Sequence, residues 1–289
     1  MFGLSWTNRL FWFCYADSHD VDPRATARNL LSAICYFYFM SQNLLFGTTR
    51  TFLGKRHALI APDGHVVSNL PGMTGATAIV LISSEMGAGF TELTITFAEG
   101  GHADFPDSQI EAFVYVLQGT VIGQTKSEKR TLATGEFMFV PAVTAWSLTQ
   151  PEPGAQVHLF LKKYVALPGV PEPGVFFGRE QEVVSQPFLG DEAARLQILL
   201  PDNPSFDLAI NIFNYQPGAH LPFVETHIME HGLLMLAGTG VYRLEDNWYP
   251  VNAGDCIWMA PYCPQWFVAM GKAPARYLYY KDVNRFPQP

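Results

Sequence analysis

Four side chains in the last third of the sequence carry donor atoms suited to one chemistry. Glu225, His227 and His231 stand at odd positions within a single short segment, and Gln265 follows further on. Together they offer one carboxylate, two imidazoles and one amide oxygen, with no thiolate among them. Such a mixed nitrogen and oxygen set suits manganese or ferrous iron better than a structural zinc. Four protein ligands would leave two positions of an octahedron open, where a Lewis acid could polarise or orient a substrate. Glu225, His227 and His231 alone equally match the iron oxygenase triad, so a dioxygenase is the competing chemistry.

These residues need an element that turns them the same way. Odd positions of a pleated strand share a face, so an extended segment from Glu225 to His231 would aim all three into one cavity. Glycines then keep a strict count. Gly238 lies seven residues after His231, Gly254 sixteen after Gly238, and Gln265 eleven after Gly254. The text between them, LLMLAG, GVYRL, WYPV and CIWMA, reads as short strands joined by glycine turns. The closing run YLYYKD places Tyr277, Tyr279 and Lys281 on one face. By pattern alone Lys281 is as readily a solvated strand-end charge and the tyrosines core. Alternatively Lys281 is a fixed cation that, with the Tyr277 hydroxyl, holds a substrate carboxylate by charge-assisted hydrogen bonds.

The chain upstream repeats the pattern. Runs such as AIVLISS, FTELTITFA and EAFVYVLQGTVIG are strand-length, rich in β-branched residues and punctuated by Gly and Pro, with helical periodicity nearly absent. Many short strands of this kind predict a double-sheet jelly roll or small barrel. FVYVLQG ends at Gly119 as LLMLAG ends before Gly238, and Gly135 follows Gly119 by the same sixteen residues. His158 then matches Tyr277, and Lys162 matches Lys281. The expected organisation is an extension over 1–50, a first barrel over 51–165, a linker over 166–185 and a second barrel over 186–289. In the first copy Pro106, Ser108, Ala112 and Trp146 (or Ala145) occupy the four ligand positions, and none is a useful ligand. Glu111 matches Glu230, one residue out of register and so facing the other side. The first barrel is expected to be metal-free and the second to carry the chemistry.

Two histidines and a glutamate ahead of one glycine, with a further histidine beyond a second, make up the two motifs of the cupins, and this spacing resembles them. Here Glu225 takes the first histidine slot, His231 the glutamate slot and Gln265 the last histidine slot. The Glu-His-His-Gln set within HGLLMLAGTGVYRLEDNWYPV and WMAPYCPQW resembles the ureidoglycine aminohydrolases, manganese bicupins of purine breakdown. The likeness is strongest from Gln216 to Arg285 and continues more weakly back to Thr51. It implies an all-β bicupin, two tandem double-stranded β-helix (jelly-roll) barrels, with Mn2+ on Glu225, His227, His231 and Gln265. It also implies substrate contacts from Glu225, Gln265, Tyr242, Tyr277 and Lys281, with Glu225 and Lys281 catalytic. The implied reaction is hydrolytic deamination of (S)-2-ureidoglycine to (S)-ureidoglycolate and ammonia in allantoin degradation. An iron-dependent dioxygenase and a non-enzymatic binding or storage bicupin are the alternatives. An intact ligand set and a placed lysine speak against storage.

Composition narrows the partners. With 48% hydrophobic and 14% aromatic residues the chain can bury a substantial core. A formal charge of −8 argues against nucleic acid, whose phosphates need Lys and Arg. A charged fraction of only 15% suits a homo-oligomer that hides surface in subunit contacts. The resemblance implies a small anionic ureido compound as the partner. Cys14, Cys35, Cys256 and Cys263 form no CxxC or zinc spacing, which favours free thiols and a reducing cytoplasm. The apolar run from Leu30 to Phe46 is broken by Ser32, Ser41, Gln42 and Asn43, so no membrane helix is expected. Residues 1–50 admit three readings: an appended helix, a targeting segment that would admit the endoplasmic reticulum, or sequence upstream of a start at Met40.

Overall fold

A computed structural model describes residues 48–287. The apolar run Leu30–Phe46, the candidate start Met40, Cys14 and Cys35 lie outside the described residues. Arg50–Pro289 form one compact unit. Among the described residues there is no α-helix, and no helix is long and apolar enough to cross a membrane.

The strands assemble into the same pattern twice. In the first repeat a nine-stranded sheet includes the order Glu136–Val140, Ile110–Gln118, Gln156–Lys163, Phe90–Phe105 and Met73–Ile82. In the second the order is Cys256–Met259, His231–Ala237, Ala275–Asp282, Leu208–Tyr215 and Asp191–Ile198. Each repeat also has a three-stranded ribbon, Lys129–Ala133, Thr120–Thr125 and Trp146–Thr149 continuing the nine-stranded sheet in one, Asn247–Asn252, Thr239–Leu244 and Gln265–Met270 as a separate sheet in the other. The glycine count has a physical cause at the turns between sheet and ribbon. Gly119 and Gly238 have φ of 74° and 76°, and a Cβ on Gly238 would lie 2.5 Å from the Pro274 carbonyl oxygen.

Two strands cross the expected boundaries. His57–Ile60, within the span read as the first barrel, pairs with Cys256–Met259 of the second repeat. Phe176–Arg179, within the span read as linker, pairs with Glu136–Val140 of the first. Both cover the outer edge of a buried apolar strand, which would otherwise expose unpaired backbone groups.

Alternation explains why several strands read as apolar throughout. Val114 and Val116 fill the first barrel, whereas Phe113 and Tyr115 of the same strand join a cluster with Ile210, Trp258, Leu278 and Tyr280. Leu233, Met235, Phe267 and Tyr277 fill the second barrel. Strands between the barrels are therefore buried on both faces.

Candidate active site and metal centre

The segment from Glu225 to Glu230 is not the strand that its odd-numbered pattern predicts. Only His231 opens a strand, and Glu225 forms an isolated bridge with Gln265. The chain must pass here from the ribbon side of the barrel to the large sheet, so it cannot stay in one pleat. Convergence comes from cross-chain pairing instead. Glu225 and Gln265 exchange backbone hydrogen bonds at 2.8 and 2.9 Å, the His227 carbonyl accepts the Tyr262 amide at 2.7 Å, and His231 lies opposite Lys281. Glu225, His227, His231, Gln265, Tyr242, Tyr277 and Lys281 all line one cavity of about 170 Å³.

The imidazoles are arranged as ligands would be. His231 Nδ1 lies 3.0 Å from the Tyr280 carbonyl, to which it can only donate, leaving the Nε2 lone pair free. That Nε2 stands 3.2 Å from His227 Nε2, and the Gln265 amide end is 2.9 Å from the same His227 atom. Burial and the neighbouring His227 push His231 down to about 3, and burial lowers His227 as well, so both rings are neutral at pH 7. Two nitrogens each about 2.1 Å from one ion at a right angle stand about 3 Å apart, so the observed pair fits a shared cation. His227 Nδ1 is buried without a partner. The Gln265 oxygen and nitrogen exchange by a simple flip, which presents the oxygen as donor atom. Glu225 lines the cavity, yet among the described residues no three His, Cys, Asp or Glu side chains converge as a cluster. Rotation of this half-buried side chain would have to complete the set. The donors therefore fit a divalent ion, with Glu225 as the adjustable member.

Electrostatics divides the remaining groups. Burial raises the Glu225 carboxyl while nearby Lys281 opposes that shift. The Lys281 ammonium makes no hydrogen bond or ion pair among the described residues, whereas its backbone is paired within the sheet. Tyr277 shares a hydroxyl contact of 3.1 Å with Tyr215, and Asn211 lies 3.1 Å from the Tyr279 hydroxyl. Burial lifts all these phenols, so each keeps its proton. Phe213, Leu221 and Met229 supply apolar wall that sequence patterning did not single out. Phe213 and Tyr215 sit in LAINIFNY, where only knowledge of the pairing with Tyr277 and Ala275 would have placed them at the site.

The first repeat has an aromatic stack in the corresponding place. Phe105 pairs with Trp146, their rings 3.9 Å apart and within 4° of parallel. Phe105, not Pro106, thus occupies the Glu225 position, because the connection to Gly119 is one residue longer than its counterpart. Glu230 faces away from the cavity, as its register requires, and Glu111 is buried beside Lys162.

Known proteins resemble this chain in sequence and fold. A family model described as Cupin domain matches residues 211–280. The chain is 38% identical over 244 residues to the "Probable (S)-ureidoglycine aminohydrolase" of Oryza sativa subsp. japonica, covering 83% of this chain and 77% of that one. It is 32% identical over 232 residues to the (S)-ureidoglycine aminohydrolase of Escherichia coli (strain K12), covering 79% and 88%. The crystal structure of protein Ylba from E. coli superposes with a TM-score of 0.76 at 29% identity, over 86% of this chain and 99% of that one.

Proposed function

The chain belongs to the (S)-ureidoglycine aminohydrolases, cupin hydrolases, and from that premise we propose that it converts (S)-2-ureidoglycine and water to (S)-ureidoglycolate and ammonia. The observation that carries this reading is the meeting of Glu225, His227, His231 and Gln265 with the unpaired Lys281 ammonium in one cavity. Those four residues would hold manganese, for which an amide oxygen is a suitably hard donor. A bound ion would supply Lewis acidity at the reacting carbon.

The chain's own groups do the rest. Lys281 and the Tyr277 hydroxyl fix the substrate carboxylate, a cation and a proton donor four residues apart on one strand face. Tyr242 lines the same cavity. Glu225 lines the same cavity, where its carboxyl is placed to relay a proton to the departing amine. The carbon–nitrogen bond to that amine breaks, its electron pair leaves with nitrogen, and water supplies the new hydroxyl.

In this reading the barrel over 186–289 carries the chemistry in a step of allantoin breakdown, and the barrel over 51–165 has given up its ligands. Cys256 and Cys263, buried and in no disulfide, agree with a cytoplasmic location. Phe52 and Leu53, exposed on an edge strand, agree with a homo-oligomer. The decisive experiment measures ammonia release from ureidoglycine by metal-stripped protein given single metals in turn. Manganese should restore activity best, with one ion per chain. Oxygen consumption in place of ammonia release, or a second ion in the first repeat, would overturn the reading.

A further inference from the structure

The strand that opens at His231 is held from behind by the other repeat. Glu230 turns away from the cavity and is 6% exposed. Its carboxylate accepts the Gly89 amide at 3.0 and 3.2 Å and the Trp258 indole N–H at 2.8 Å. Gly89 stands just before Phe90–Phe105 of the first repeat, whereas Trp258 belongs to the second. The Glu230 amide also donates to Asp282 Oδ1 at 2.5 Å, so the residue is tied at both ends.

On the other side of His231, Gly232 leaves no gap. A Cβ there would lie 2.2 Å from Glu92 Oε2 and 2.5 Å from the Phe90 ring. The Phe90 ring in turn packs at a tilt against Tyr280, with centroids 4.2 Å apart, and the Tyr280 carbonyl orients the His231 ring. His231 is thus bracketed, before and after, by the stretch from Gly89 to Glu92.

We infer that Glu230 is a positioning residue for the metal centre: it fastens the ligand-free repeat against His231, so that one repeat sets how tightly the other holds its ion. This rests on the reading that His231 ligates that ion. A buried carboxylate is a costly way merely to fill space, since an apolar side chain of similar size would stabilise as well or better. A carboxylate with two directed donors does something an apolar residue cannot, which is to fix one backbone in register against another. Groups that orient a ligand in this way typically change metal affinity by about 10–100-fold when removed.

The test uses the full chain, stripped of metal and titrated with Mn2+ by calorimetry, with the Mn2+ electron paramagnetic resonance spectrum recorded for each variant. Glu230→Ala should bind Mn2+ at least about tenfold more weakly, with a changed spectrum. Glu230→Gln, which keeps a carbonyl for the Trp258 indole, should recover part of that loss. Trp146→Ala, a destabilising change remote from His231, should bind Mn2+ as the native chain does. Native affinity and spectrum in Glu230→Ala, or equal weakening in Trp146→Ala, would overturn the inference. Failure of the native chain to bind Mn2+ would sink the metal reading instead. The crystal structure of Glu230→Ala then decides separately, since an undisplaced His231 ring refutes the positioning role whatever ion binds.

Discussion

Gly232→Ala tests how closely the two repeats meet beside His231. The backbone at Gly232 is an ordinary strand, paired with Trp258 and Tyr280, so alanine brings no conformational strain of its own. By trimming the unfolded chain's freedom it would by itself add about 0.4–1 kcal/mol. The new methyl group instead meets Glu92 Oε2 at 2.2 Å and two Phe90 ring carbons at 2.5 Å, about 1 Å inside ordinary contact. Neither neighbour can retreat freely. Phe90 is backed by Tyr280, and Glu92 is held by His158 at 2.9 Å and Cys256 at 3.4 Å, all buried. Overpacking costs about 1–3 kcal/mol, and losing the His158 hydrogen bond adds about 1–2 kcal/mol. The net expectation is about 3 kcal/mol of destabilisation, a fall in Tm of roughly 6–12 °C for a chain this size. Differential scanning calorimetry reads it directly. Phe90→Val should relieve part of the overlap, making the double variant more stable than the two single effects predict. A Tm drop under about 2 °C, or strict additivity, would refute the close approach.

Three further outcomes follow from the site and its surroundings. Gln265→His should keep the metal yet lower ureidoglycine turnover at least about tenfold, roughly 1.4 kcal/mol, because a ring replaces the amide's paired donor and acceptor; steady-state ammonia release checks it. Lys281→Met should raise KM for ureidoglycine by about 10–100-fold, the worth of a hydrogen bond to a charged group, while Mn2+ content stays at the native level by elemental analysis. Glu111 is pushed up to about 10, first by burial and then by Asp207, from 4.5. Its native form keeps a proton the unfolded chain releases, so its contribution is complete below about 4.5 and lost as pH rises toward 10. Glu111→Gln removes that loss, so its Tm relative to the native chain should be higher at pH 8 than at pH 5.

Much of this was legible in the sequence because glycine and ligand types obey hard local rules. Gly119 and Gly238 hold a φ that other residues avoid, so the count between them survives in both copies. The donor types at Glu225, His227, His231 and Gln265 suit a cation wherever the backbone takes them. The path of that backbone was not legible. Period-two spacing predicted a strand over 225–231, but pairing with Gln265 and Tyr262 turns the same residues inward without one. Register across strands was equally hidden. A single extra residue shifts Phe105 into the slot that counting gave to Pro106, and only pairing reveals Tyr215 behind Tyr277. The strands His57–Ile60 and Phe176–Arg179 look like members of their own neighbourhoods, because nothing local encodes which distant edge they will cover.

That exchange of strands has a consequence for how the chain is made. Phe176–Arg179 leaves the ribosome shortly after Glu136–Val140, so the first repeat can finish its sheet while synthesis continues. His57–Ile60 must wait about 200 residues for Cys256–Met259, on the order of 10–40 s at ordinary elongation rates. Once the first barrel is complete, an apolar tetrapeptide, HALI, stays attached to it with its intended neighbour not yet synthesised. A second nascent chain on the same message would offer the same unpaired strand at high local concentration. Slow codons between residues 180 and 256 should therefore raise aggregation during expression, whereas slow codons after residue 259 should not.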